Sequence, residues 1–281
     1  MGTAAPGCAP GKAWRVFAPS TEIWFPAALQ CEIMPPRIAI PLPHSSDSDY
    51  AERAISQYER AVTLGGGQAV RVRLDQATGE LRKVIERCDG VLLPGSKADV
   101  DPAKFNAARS EHTAAADPRR DAVDDLLLED AYRLRKPVLG ICYGLQTLNV
   151  YRAGSLIQHI PDFLPEETRG RVNHEAGGKV AVAHAVEIKA GSGLAKIVDA
   201  DSGGRRHLVV PVNSSHHQSA HVIGDGLRIV ARCPDDEIIE ALEGTAPGHF
   251  VLAVQWHPER SVDGDASSRA IFRAFVDAAC R

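Results

Sequence analysis

Three side chains in this chain have the types and the settings for one chemistry. Cys142 stands between glycines in Gly140-Ile141-Cys142-Tyr143-Gly144, and His257 precedes Glu259 by two residues in His257-Pro258-Glu259. A thiol can attack a carbonyl carbon, an imidazole can move the proton, and a carboxylate can orient the imidazole. An apolar run, residues 138–141, is short enough for one buried strand, and a helix-compatible run, 145–152, follows the cysteine. That is the strand–turn–helix context of a nucleophile elbow, with cysteine in place of serine. The flanking glycines let the backbone fold sharply so that the thiol projects. The start of the helix favours negative charge on sulfur. A buried packing cysteine is the bland alternative, and the paired glycines at a strand-to-helix switch count against it.

Pro258 disfavours helical backbone for His257, so the segment is expected to run extended, with His257 and Glu259 on the same side. One imidazole nitrogen then meets Glu259 and the other is left for Cys142. The oxyanion of acyl transfer needs two donors. The Tyr143 amide, next after the nucleophile, is one, and Gly95, at the end of the run 91–94, is the best second candidate. His216-His217-Gln218 also ends a strand-like run and can line the same cleft. Substrate contact and a loop packed by its own hydrogen bonds are equally good readings there. Adjacent strand residues point oppositely and no third ligand at usable spacing is evident, so metal is set aside. His159, His174, His184, His207, His221 and His249 read as surface or packing residues.

The elements that must hold these groups follow in order. Strand-like runs at 38–42, 69–74 and 91–93 alternate with helical patterns at 50–64 and 78–87, and capping side chains lie at 46–49. This order is the signature of a parallel sheet covered on both faces. Residues 96–120 are polar and irregular, and 122–135 forms a helix that delivers the chain to the elbow. Residues 154–160 form a turn and a short apolar piece, and 161–178 a polar loop. The last third is mostly strands: 180–188, 208–212, an antiparallel pair at 227–232 and 238–242, and 251–256 running into His257. Residues 266–279 close the chain as an amphipathic helix. The expected fold is α/β, an open, mostly parallel, doubly wound flavodoxin-like sheet with helices on both faces and extra antiparallel strands in the C-terminal third.

At these residues the chain resembles the class I glutamine amidotransferases. Gly140 to Gln146 and His257-Pro258-Glu259 match that superfamily's triad motifs. Leu148-Asn149-Val150 with Gly154-Ser155-Leu156-Ile157-Gln158, Asn213-Ser214-Ser215-His216-His217-Gln218, and Pro94-Gly95 followed by Asp99-Val100-Asp101-Pro102 resemble the gamma-glutamyl-gamma-aminobutyrate hydrolase group, stand-alone hydrolases of polyamine breakdown. The resemblance implies attack of Cys142 on a gamma-glutamyl amide, a thioester intermediate and hydrolysis by water. His257 is then base and later acid, Glu259 the orienter, and Gln146 the contact for the glutamyl moiety. Ser96, His216, His217 and Gln218 join Gln146 as substrate-binding candidates. Two departures stand out: Tyr143 occupies the position where the hydrolase group usually carries Arg, and Gly95-Ser96 stands where many relatives have Gly-Gly. Two other readings remain open, a glutaminase subunit feeding a separate synthetase and a non-catalytic sensor of a gamma-glutamyl ligand.

Composition bounds the rest. The chain has 281 residues, 44% of them hydrophobic, and a net charge of −4. That balance offers no basic field for nucleic acid, and the apolar runs are too short to cross a bilayer. Six scattered cysteines without a Cys-x-x-Cys pair suit a reducing cytoplasm. The expected partner is a small gamma-glutamyl substrate, with no nucleic acid, membrane or cofactor required; a homo-oligomer is compatible with the sequence. Residues 1–33 show no clear period, and Met34-Pro35-Pro36-Arg37-Ile38 reads as the start of a first strand. The expectation is an unpacked extension over 1–33 and a single domain over 34–281. Deleting residues 1–33 should leave activity and melting temperature nearly unchanged; a collapse of either overturns that division.

Overall fold

The computed structural model describes residues 1–2, 34–199 and 208–280. The chain divides into two units, residues 1–34 and 35–281, and the second is described below. The proposed extension over 1–33, with Cys8 and Cys31, lies outside the described residues apart from Met1 and Gly2, as does His207.

The chain begins β1 (Arg37–Pro41), α1 (Ser48–Leu64), β2 (Gln68–Val72), α2 (Thr78–Glu86) and β3 (Gly90–Leu93). After a 3-10 turn at Pro102–Phe105 come α3 (Pro118–Leu134), β4 (Val138–Ile141), α4 (Tyr143–Tyr151), β5 (Leu156–Ile157) and the single-turn α5 (Ile160–Phe163). The last third holds β6 (His184–Ile188), α6 (Gly193–Val198), β7 (Leu208–Val212), β8 (Ser219–Ala220), β9 (Leu227–Arg232), β10 (Ile239–Gly244), β11 (Val251–Val254) and α7 (Ala266–Ala279). Nine strands form one sheet in the order β2-β1-β3-β4-β11-β10-β9-β6-β7. The first five are mutually parallel, and β10, β9, β6 and β7 add on in antiparallel fashion. The doubly wound architecture with its antiparallel C-terminal strands is thus the one expected.

The core explains why β3, β4 and β11 read as unbroken apolar runs rather than alternations. Successive side chains of a strand point to opposite faces, and here both faces are covered. Ile38, Ile40, Leu92, Leu139, Ile141, Leu252 and Val254 pack with Ile55, Tyr58 and Val62 of α1 and Phe272 and Phe275 of α7. Their neighbours Ala39, Val91, Leu93, Val138, Val251 and Ala253 pack on Leu81 and Ile85 of α2, Leu127 and Leu128 of α3, and Leu145 and Leu148 of α4. Helix starts are fixed by side-chain caps, each stabilising by about 1 kcal/mol. The Tyr50 amide donates to Asp47 on α1, and the Arg120 amide donates to Asp117 on α3. α3 therefore starts at Pro118, earlier than its apolar pattern implies, because Arg120, Asp121 and Asp124 are buried charged residues that blur the period.

Two contacts set the elbow. β4 and β11 run parallel with Ile141 opposite Val254, and the Cys142 amide continues the ladder by donating to the Val254 carbonyl at 2.8 Å. α4 then folds back over β3 and β4. A Cβ on Gly140 would lie 2.8 Å from the Gly144 oxygen, and one on Gly144 would lie 2.1 Å from the Leu93 oxygen. Both glycines are therefore required by close backbone approach. Gly144→Ala should push α4 off β3 and lower the melting temperature by ~5 °C or more; an unchanged thermal melt would show that α4 is free to shift.

Candidate active site

Cys142 sits at the cap of α4 with φ 53° and ψ −105°, a backbone conformation rarely adopted by a residue with a side chain. Strain of this kind costs on the order of 1–3 kcal/mol and persists only where its surroundings enforce it. Here β4, β11 and the two glycines do so. The thiol is buried, 6% exposed, with no capping hydrogen bond from its own side chain.

His257 and Glu259 meet as expected, but by a different backbone route. His257 Nδ1 lies 2.7 Å from a Glu259 carboxylate oxygen. The segment is not extended: Pro258–Arg260 forms a 3-10 turn with proline at its first position, and β11 ends at Val254 rather than at Trp256. Proline is favoured at a helical first position because its missing N–H would lack a partner there anyway. The turn folds Glu259 back onto His257. Burial alone would lower the pKa of the imidazole, but the negative charges of Glu259 and Cys142 outweigh it and raise the value to about 9. The nitrogen not engaged by Glu259 is left on the side of the ring away from that carboxylate, and the imidazole and Cys142 border the same point beside Gly95. Asn213, which follows β7, clamps the backbone of His257 at two points. Its Nδ2 donates to the His257 carbonyl at 2.9 Å, and its Oδ1 accepts from the His257 amide at 3.0 Å. Asn213 stands in the 213–218 motif, and its hold on His257 becomes visible only when β7 and β11 are brought together.

The loop after β3 closes the other side. An ideal Cβ on Gly95 would lie 3.0 Å from His257 Cε1, 3.1 Å from the Tyr58 hydroxyl and 3.7 Å from Cys142 Cβ, so a side chain here would crowd the imidazole. Its amide, however, is already engaged and donates to the Tyr58 hydroxyl at 3.0 Å. Burial first, with the Glu259 charge, holds the Tyr58 pKa well above the ordinary phenol value. The carbonyl of Pro94, in the same peptide, accepts from the wholly buried Arg120 at 2.8 Å. Arg120 pairs in turn with Asp124 at 2.7 Å. Tyr50 of α1 also borders the site: burial, then the Cys142 charge, push its hydroxyl up to about 12. In sequence Tyr58 is one of the apolar positions at helical spacing in α1, and nothing there marks it or Tyr50 for the site.

Other candidate residues divide. The Tyr143 side chain turns inward, donates to Asp121 at 2.5 Å and packs under the Arg120 guanidinium, so its departure from Arg is met by packing. Gln146 is buried and spends its amide N–H groups on the Gln218 carbonyl at 3.2 Å and the Gln255 side chain at 3.5 Å. Ser96 is half-buried on the Gly95 loop and accepts from the Ala98 amide. His217 is half-buried, with its Nε2 3.1 Å from Asp99, which raises its pKa. His216 and Gln218, the other two substrate-contact candidates, lie deeper. His216 is buried and turns away from its neighbour, as alternating side chains must, to bond the Gln218 carbonyl. Gln218 is buried too; its Nε2 donates to the Gln158 carbonyl at 3.2 Å, and its Oε1 has no partner among the described residues. Of the histidines expected at surface or packing positions, His174 and His184 are interior. They gather with His216 and Glu240, so the expected lack of a third ligand does not hold; that spacing is invisible in sequence because four separate segments supply the cluster.

Comparison with known proteins agrees with this geometry. The family model described as Peptidase C26 matches residues 39–259. A Mycobacterium tuberculosis protein named "Putative glutamine amidotransferase Rv2859c" is 36% identical over 80% of this chain and 67% of its own. The gamma-glutamyl-gamma-aminobutyrate hydrolase of Escherichia coli O157:H7 is 33% identical over 79% of this chain and 84% of its own. A solved structure from Thermoplasma acidophilum, "a putative gmp synthase subunit a protein", is 16% identical with a TM-score of 0.57, covering 87% of this chain and 94% of that one, and shares the fold. With its matched region spanning both the cysteine elbow and the His-Pro-Glu turn, this chain belongs to the Peptidase C26 family of glutamine amidotransferase-like hydrolases.

Proposed function

We propose that the protein hydrolyses gamma-glutamyl amides with Cys142 as nucleophile, His257 as proton carrier and Glu259 as orienter, releasing glutamate and an amine. The observation that carries this reading is a strained, buried elbow cysteine next to an imidazole fixed by a carboxylate at 2.7 Å. The thiolate is the attacking form, and the His257 imidazolium, its pKa raised to about 9, supplies a counter-charge for it. Sulfur adds to the gamma-carbonyl carbon, and the tetrahedral oxyanion takes the amides of Tyr143 and Gly95, the latter exchanging its Tyr58 partner for the stronger charged acceptor. His257 gives its proton to the leaving nitrogen, the C–N bond breaks and a thioester remains. Water, giving a proton to His257, attacks the thioester and restores the thiolate with release of glutamate. Gln146, Ser96 and His217 are the proposed substrate contacts on the surrounding loops. The relative named for gamma-glutamyl-gamma-aminobutyrate makes that amide the first to try, with gamma-glutamyl polyamines beside it. A free thiol nucleophile also fits a reducing cytoplasm.

A panel of gamma-glutamyl amides, with released glutamate measured, tests the assignment. Cys142→Ala should fold normally and lose all turnover; activity retained in that variant overturns it. The Glu259 charge makes a second prediction. The His257 proton is held more tightly in the folded chain, so it stabilises the fold below about pH 6.5, and that contribution fades as pH rises through about 9. The alkaline limb of kcat/KM should likewise fall near pH 9. Glu259→Gln should move that limb to lower pH by about one unit or more; an unmoved limb removes Glu259 from the role of orienter.

A further inference from the structure

We propose that His174, His184, His216 and Glu240 form a closed, four-ligand zinc site, separate from the nucleophile, that pins the loops behind His257. The four side chains come from four segments: the loop before β6, the first residue of β6, the loop after β7, and β10. All four are buried, Glu240 completely. Their candidate ligand atoms lie within 4.8 Å of one another.

The hydrogen bonding singles out a missing partner. Each histidine uses one ring nitrogen on an outer acceptor: His174 Nε2 on Asp236 at 2.9 Å, His184 Nδ1 on the Ala185 carbonyl at 3.1 Å, and His216 Nδ1 on the Gln218 carbonyl at 2.9 Å. The remaining nitrogens, His174 Nδ1, His184 Nε2 and His216 Nε2, have no hydrogen-bond partner among the described residues, and neither do the two oxygens of Glu240. Five orphaned atoms at one buried point contrast with the near-complete pairing of protein interiors. A ring nitrogen turned inward while the other donates outward is the arrangement by which proteins orient imidazole ligands.

Distances favour a cation over direct contact. The three free nitrogens lie 3.4, 3.5 and 3.6 Å from the same Glu240 oxygen. Charge-assisted hydrogen bonds run to about 2.7–2.9 Å, so these separations are too long for them. The edge of a tetrahedron whose metal–ligand bonds are about 2.0–2.1 Å is about 3.3–3.4 Å, close to what is seen. Three imidazoles and one carboxylate form a donor set suited to zinc. Charge points the same way. A divalent cation, taking the place of any proton on the histidines, would balance the two buried carboxylates of Glu240 and Asp236. Four protein ligands leave no open position, so the role is structural.

Such an ion would fasten the loop that carries the active-site clamp. The His216 amide and the Ser214 hydroxyl both donate to the His174 carbonyl, at 2.9 and 2.7 Å, and Asn213 beside them grips His257. The test uses the full-length, untagged protein purified without chelators. Elemental analysis should find about one zinc per chain, in the wild type and equally in Cys142→Ala. Stripping with dipicolinate should lower the melting temperature, and one equivalent of zinc should restore it. Cobalt added to the stripped wild type should give the intense visible bands of a four-coordinate site, a readout that needs no variant to fold. Glu240→Gln and His184→Ala should lose the metal. Wild-type protein with no stoichiometric zinc and no thermal or spectral response to added metal overturns the proposal. Zinc that disappears in Cys142→Ala overturns it too, because the ion would then sit on the nucleophile.

Discussion

The hydrogen bond from the Cys142 amide to the Val254 carbonyl, 2.8 Å long, is the constraint on which the site depends. It is the last rung of the β4–β11 ladder, and it exists only because two strands far apart in sequence lie side by side and parallel. Parallel strands end together at one edge of the sheet, where ligands of doubly wound folds bind. Cys142 leaves β4 there, and His257 follows the end of β11 there. Strand spacing is set by backbone hydrogen bonds to within a few tenths of an ångström. The distance from sulfur to imidazole is therefore fixed by the most rigid part of the molecule, and loops need only set the final rotation.

Around that rung, neutral and charged hydrogen bonds are arranged in layers. Glu259 holds one face of the imidazole and Asn213 holds its backbone. Arg120, wholly buried and paired with Asp124, fixes the carbonyl of Pro94, while Tyr58 occupies the N–H of the same peptide. Burial matters to each of these: in a dry interior an ion pair or polar bond is much stronger than in water, and an unmatched one is much more costly. The same reasoning gives the gathering of three histidines and Glu240 its weight. Polar groups placed at such cost stay where a partner, or a charge to be balanced, holds them.

Much of this was legible in the sequence because it rests on local patterns. Gly140, Cys142 and Gly144 declare a tight strand-to-helix turn, and the clean apolar runs of β3, β4 and β11 declare a sheet covered on both faces. The pairing of His257 with Glu259 was legible as a partnership but not as a shape, since Pro258 is compatible with extended backbone and with the start of a 3-10 turn. The hidden parts are those made by segments meeting in space. Asn213 reads as one polar residue at a strand end until β7 and β11 are placed. Tyr58 reads as one more apolar position on α1. Arg120, Asp121 and Asp124 read as a solvated face because charge is ordinarily outside. His174, His184, His216 and Glu240 share no spacing, so no period could announce them.

The left-handed φ of Cys142 also bears on how such a chain can change over generations. Glycine is the residue that adopts that conformation without penalty, so the backbone at position 142 prefers, on stability alone, a residue with no sulfur. A Cys142→Gly lineage would relax the elbow by on the order of 1 kcal/mol while losing its nucleophile. Under the proposed role of Cys142, selection for turnover would act against a small thermodynamic slope, and without it the fold would be free to drift toward a stable, silent form.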